Sequence, residues 1–214
     1  MRYYFESLFI VLLFFGIHYD SSAQGYHIQA TIKEYADSTF VIGHYNRSHT
    51  QFVPKDTATA NADGQVVFKK STDLPGGLYV ILFPGNSRLI EFVYSGEEKQ
   101  FSLATDTLDL INHMKISGSK ENQLFYEYQQ ELRKLEKQLA AQKQANSTDT
   151  KATALQEQYL SYRKKFFLDN KSTFTAKLLK MVSDPEIPAP PKDSKDSLWS
   201  YHYYKAHYWD AFDF

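Results

Sequence analysis

The sequence predicts an α+β fold: an antiparallel β-sandwich or partly open barrel, followed by a helical hairpin and a C-terminal helical segment. Three observations carry this. Apolar residues alternate with polar ones from Gly25 to about Ile116, with turn residues at short intervals. After Ser117-Gly118-Ser119 the apolar period lengthens to steps of three and four. The run Pro185-Glu186-Ile187-Pro188-Ala189-Pro190-Pro191 then rules out helix and separates a last aromatic segment.

The elements follow in order. Residues 1–23 read as an export signal. Arg2 precedes the apolar run Leu8 to Ile17, too short to span a bilayer, and Ser21-Ser22-Ala23 supplies small residues before a cut at Gln24. An antiparallel β domain is expected over 24–117. In it Tyr26, Ile28, Ala30 and Ile32 alternate with His27, Gln29, Thr31 and Lys33. Phe40-Val41-Ile42 opens a second strand, and Gln51-Phe52-Val53 a third that Pro54 ends or confines to an edge. Asn61-Ala62-Asp63-Gly64 is a tight turn into Gln65–Lys69. Leu78 to Phe83 is apolar on both faces and is expected to be central. Arg88–Tyr94 and Gln100–Leu103 follow, and Leu108, Leu110, Asn112, Met114 and Ile116 alternate as a last strand.

The helical hairpin region spans 118–183. Ser119 suits an N-cap, with Glu121 in the first turn. Phe125, Tyr128, Leu132, Leu135 and Leu139 form one stripe; Leu155, Tyr159, Tyr162 and Phe166 form another, across the polar break Asn146-Ser147-Thr148-Asp149. A short third helix is expected from about Thr173 to Val182. A Pro-rich linker covers 184–195, and an aromatic helical segment 196–214, running from Ser197 to about Phe212. The chain finishes on Asp210-Ala211-Phe212-Asp213-Phe214, large apolar residues with no polar tail, which leads to the expectation of a truncated or split product.

Composition excludes several functions. Lys+Arg number 24 and Asp+Glu 25, so the net charge of −1 argues against nucleic acid as a partner. With no cysteine, the chain itself holds no disulfide, thiolate metal site or thiol nucleophile. No Gly-x-Ser-x-Gly elbow occurs, and Gly76-Gly77 precedes a strand and is no phosphate loop. His202 and His207 lie about 140° apart on a helix, against the i, i+4 placement of zinc ligands, so Asp210 does not complete a metal site with them. His44 and His49 flank a turn without a third ligand. Glu97-Glu98 reads as solvated turn charge. No catalytic, cofactor-binding or metal-ligating residue is expected.

Strand, Asp56-Thr57, Asp63-Gly64, Val67-Phe68, Pro75-Gly76-Gly77-Leu78-Tyr79-Val80, then Ser117-Gly118-Ser119 with Glu121-Asn122 and Phe125-Tyr128: this order resembles a Bacteroidota envelope module. That module is a β-rich domain of unknown function preceding thioredoxin-like thiol–disulfide oxidoreductases of the TlpA/ResA type. The segment Tyr203 to Phe214 is similar to the start of a second helical region in such proteins. The resemblance implies a periplasmic or secreted, non-redox portion that recognises or positions a protein partner in the cell envelope. No redox residue carries over, because the Cys-x-x-Cys site is absent here. The membrane enters only through the cleaved signal.

Trp199, Tyr203, Tyr208 and Trp209 are the candidate partner or glycan contacts. Their rings invite sugar stacking, but Trp199 and Tyr203 also suit an ordinary packed helix face, which is the preferred expectation. A surface glycan-binding module is the alternative function. Asp37-Ser38-Thr39, Asp56-Thr57-Ala58, Asp106-Thr107-Leu108 and Asp196-Ser197-Leu198 match a short pattern resembling Bacteroidota O-glycosylation acceptors.

Overall fold

The computed structural model describes residues 25–46, 48–86, 88–144 and 149–212. The expected export signal, the break at Asn146-Ser147-Thr148, the His49 side chain and Asp213-Phe214 lie outside the described residues.

The fold is α+β. Eight strands occur among the described residues: β1 (His27–Ile32), β2 (Thr39–Asn46), β3 (Ser48–Thr59), β4 (Gln65–Lys69), β5 (Gly77–Leu82), β6 (Leu89–Tyr94), β7 (Gln100–Thr105) and β8 (Lys115–Ser117). They form two four-stranded sheets, ordered β4-β1-β7-β8 and β3-β2-β5-β6, which do not close into a barrel. Pairing is antiparallel with one departure from the expected pattern. β1 and β7 run parallel, His27 opposite Gln100. Strands far apart in sequence meet there, so no hairpin constrains their direction.

Period-2 alternation sets the core. In β1 each inward side chain, Ile28, Ala30 and Ile32, is fully buried while its neighbours are half-exposed. Phe68 and Leu103 meet them from β4 and β7. Phe40, Ile42, Ile81 and Phe92 approach from the other sheet in the same cluster. Each such side chain contributes about 1.5–3 kcal/mol by burial. β5 is interior, as its two apolar faces require, and Tyr79 to Leu82 are all buried.

Two turns show local chemistry at work, the first as expected and the second against the alternating pattern. At 61–64 the Asn61 side chain accepts from the Asp63 and Gln65 amides, both at 3.0 Å. Gly64 there has φ +72°, and a Cβ would lie 2.2 Å from the Ile32 carbonyl oxygen. At 106–113 the expected last strand is absent; its strand is only β8. Asp106 accepts from the amides of Leu108 and Asp109, and Asp109 from those of Ile111 and Asn112. These Asx turns bend the chain and leave Leu108 87% exposed. The expected third strand is longer than its pattern: β3 continues through Pro54, opposite Gly43 beside a register shift, on a sheet edge. Asp56-Thr57, quoted above for the family resemblance, lies within β3.

Four helices follow: α1 (Lys120–Gln144), α2 (Asp149–Asp169), α3 (Phe174–Met181) and α4 (Trp199–His207). α1 and α2 pack on each other through part of the predicted stripes, Tyr128 and Leu132 with Tyr162 and Phe166, whereas Phe125 joins the sandwich core. Tyr128 meets Phe166 at a 43° tilt with centroids 4.6 Å apart, and Leu124, Tyr128, Phe166 and Ala176 form a second buried cluster. Thr173 caps α3, accepting from the Ala176 amide. α4 is shorter than expected, since the chain turns from Tyr208 onward. No helix among the described residues is long and apolar enough to cross a membrane.

Candidate docking surface

The helices are fixed to the sandwich by a polar joint at the start of α1. The Ser119 hydroxyl accepts from the Asn122 amide at 3.0 Å, as an N-cap does. Glu98, read from the sequence as solvated charge, instead covers the exposed amides of that helix end. Its carboxylate accepts from Lys120 and Glu121 amides at 2.8 and 3.1 Å and from the Ser119 hydroxyl at 2.5 Å. A negative charge there meets the positive end of the helix dipole.

Asn122 is fully buried and pairs with the backbone N–H and C=O of one residue of β6, an edge strand. Its Oδ1 accepts from the Val93 amide and its Nδ2 donates to the Val93 carbonyl, both at 2.8 Å. The side-chain amide thus acts as a missing strand neighbour. One turn on, the Tyr126 hydroxyl donates to the Glu91 carbonyl at 2.7 Å. Burial, reinforced by the Glu91 carboxylate, pushes the Tyr126 phenol far above its ordinary range. Phe125 and Tyr126 belong to the sandwich core, whereas Leu124 and Tyr128 face the helices. Tyr162 in α2 is pushed up to about 12, by burial first and then by Glu131 and Glu127.

α1 in turn holds α3. The Glu121 carboxylate accepts from the Phe174 and Thr175 amides at 3.0 and 2.7 Å. Sequence reasoning placed Glu121 in the first turn of its own helix, but its second role depends on a partner outside any local window.

The candidate contact residues lie on and just after α4. No residue of α4 is fully buried, and Trp199 and Tyr203 lie half-buried. Those two half-buried rings stack on one another, 5.0 Å apart and 28° from parallel, because i, i+4 positions share a helix face. Tyr203 also meets His207 at 4.1 Å. Tyr208 and Trp209 are exposed and meet edge-on, 4.9 Å apart at 86°. Leu198 and Tyr201 are each 58% exposed, and Val182 and Ile187 also face solvent. The Tyr204 hydroxyl donates to Asp184 at 3.1 Å, tying α4 to the segment after α3.

The other polar candidates fall into separate pairs. His202 contacts Asp196 at 2.7 Å and His207 contacts Asp210 at 2.6 Å. The side-chain bond from His202 leads the effects that hold Asp196 below the usual carboxylate range. Among the described residues no three His, Asp or Glu side chains group as metal ligands. A polar cleft of about 610 Å³ lies between β6, the 107–111 turn and α1, with Arg88, Glu91, Asp109 and Arg133 on its wall. Arg88 is held there by the Thr107 carbonyl at 2.5 Å. Of the short acceptor patterns, Thr57 and Ser197 are exposed and Ser38 and Thr107 half-buried.

Residues 26–125 match a domain of unknown function (DUF4369). The match covers the sandwich and ends within α1, so α2, α3 and α4 lie beyond it. Comparison with curated proteins gives no match. Among solved structures, (S)-allantoin synthase is 11% identical over 41% of this chain and 41% of its own, with a TM-score of 0.31. The chain therefore spans less than half the length of that enzyme. Sea bream transthyretin in complex with thyroxine is 11% identical over 44% of this chain and 95% of its own, with a TM-score of 0.30. Neither likeness carries an argument about fold or function.

Proposed function

We propose that this chain is a non-catalytic protein exported to the cell envelope, where it recognises or positions a protein partner. By its motif resemblance it corresponds to the N-terminal portion of a Bacteroidota thiol–disulfide interchange protein of the TlpA/ResA type. One observation carries the docking reading. Val67 and Leu108 apart, the sandwich keeps its large apolar residues buried or half-buried, while the region from α3 onward exposes Val182, Ile187, Leu198, Tyr201 and Trp209. Exposed aliphatic and aromatic side chains gathered in one stretch are the usual material of a protein contact. The match over the sandwich agrees with the resemblance only as far as an uncharacterised domain.

A glycan platform is the rival. It needs two exposed rings side by side in one plane. Trp199 and Tyr203 cover each other's faces, and Tyr208 and Trp209 meet edge-on, which favours the protein partner.

The test is isothermal titration of the purified chain with a separately produced thioredoxin-like domain of the TlpA/ResA type. Binding that Tyr201→Ser with Trp209→Ser weakens about tenfold supports the reading. Absence of binding to that domain, with binding to polysaccharides on a glycan array, overturns it.

A further inference from the structure

A second cleft, of about 430 Å³, opens between the C-terminal half of α2, α3 and the segment that follows α4. Four lysines stand around it: Lys164 from α2, Lys171 from the turn, and Lys177 and Lys180 from α3. All four are exposed, and none forms an ion pair among the described residues. Their neighbour Lys165 is different, being paired with Asp169 along the helix. Glu186 is the one acid among the described lining residues. Four cations against one anion is a strong local excess on a chain whose net charge is −1. Inside the lysine ring the wall is apolar, with Phe167 and Met181 half-buried and Leu168 exposed at the edge.

We propose that this cleft takes an acidic peptide segment of the partner, one that inserts an apolar side chain against Phe167 and Met181 and sets carboxylates against the lysines. This deepens, and rests on, the docking reading above. Charge complementarity selects the occupant: unpaired lysines held close on two helices repel one another, and carboxylates relieve that repulsion. The cleft is also continuous with the exposed aromatic region, because Ala211 lines it two residues after Trp209. One partner surface can therefore cover both. A nucleic acid would need a ring free for stacking, whereas Phe167 is packed against Tyr128 and Phe166. A bilayer would need an apolar plane, whereas the apolar groups here lie within a lysine-ringed notch.

The experiment is fluorescence anisotropy of the full chain with a short labelled peptide of alternating Glu and Leu. The same peptide with Gln for Glu, and phosphatidylglycerol vesicles as competitor, complete it. The expected result is binding that weakens with added salt, weakens about tenfold in Lys171→Glu with Lys177→Glu, and is absent for the Gln peptide. Both lysines are exposed, and circular dichroism checks that the variant folds. Equal binding of the Gln peptide, or unchanged binding by the variant, overturns the proposal. Displacement of the peptide by vesicles assigns the cleft to lipid and overturns it too. Loss of the probe with retained binding of the thioredoxin-like domain rejects the cleft alone. Retention of the probe without binding of that domain rejects the docking partner instead.

Discussion

Thr175 donates two hydrogen bonds to Glu121, one to its side chain and one to its backbone. The Thr175 amide donates to the Glu121 carboxylate at 2.7 Å, and the Thr175 hydroxyl donates to the Glu121 carbonyl at 2.9 Å. Thr175 is fully buried, so these bonds exclude water from the junction of α1 and α3. Glu121→Ala leaves two amides of α3 without their acceptor. The expected loss is about 1–3 kcal/mol, read from the midpoint of urea unfolding. Glu121→Gln keeps one acceptor oxygen and is expected to fall between.

Asn122 supports the heavier prediction. Asn122→Leu removes the hydrogen-bond partners of both the Val93 N–H and the Val93 carbonyl in a buried setting. Each orphaned group costs about 1–3 kcal/mol, so a total of roughly 2–4 kcal/mol is expected in chemical denaturation. A variant as stable as the native protein would show that water replaces the side chain there.

Gly64→Ala tests the turn between β3 and β4. The residue holds φ +72°, and the new methyl group would meet the Ile32 carbonyl. The left-handed conformation alone costs about 1–2 kcal/mol for a residue with a Cβ, and the clash adds to it. A fall in thermal midpoint of several degrees is expected, whereas Gly85→Ala, at φ +68° with open space around it, isolates the conformational part.

Asp73 sets a modest acid dependence. Burial pulls its carboxyl upward, but hydrogen bonds from Lys99, Tyr94 and the Leu74 amide outweigh that and hold it below its ordinary value. A depressed folded value means the carboxylate contributes stability above its unfolded pKa of about 3.9, and loses it as pH falls through the lower folded value. Asp73 is 40% exposed, so screening limits the pair with Lys99 to less than about 1 kcal/mol. Thermal melts below about pH 4 should therefore decline slightly less steeply for Asp73→Asn than for the native chain.

The exposed aromatics separate stability from contact. Tyr201→Ser and Trp209→Ser remove side chains that are more than half exposed. Their unfolding midpoints should stay within about 0.5 kcal/mol of the native protein, so any loss of partner binding is a loss of surface.

Much of the sandwich is legible in the sequence because burial on one face writes a period of two. Tyr26, Ile28, Ala30 and Ile32 show it without help from tertiary structure. The same rule misleads at Leu108, Leu110 and Asn112, where alternation is incidental and the carboxylates of Asp106 and Asp109 decide the path. Glu98 is illegible for another reason. It lies in a turn by every local sign, and only the arrival of α1 makes it a cap. Trp199 and Tyr203 share a helix face as their spacing requires, yet that face is completed by their own stacking rather than by the core. The lysines around the second cleft are ordinary surface charge until α2 and α3 bring them together.

The parallel pairing of β1 with β7 has a consequence for synthesis. β1 leaves the ribosome early, but one of its two neighbours follows only after β2 to β6 have been made. Until then the flank of β1 that β7 will occupy is unpaired, next to a row of aliphatic side chains. Closure of the sheet is thus a late, long-range event, slower than forming the hairpins around it. A nascent chain interrupted before Gln100 carries β1 with one flank unpaired, the kind of open edge that invites pairing with another chain.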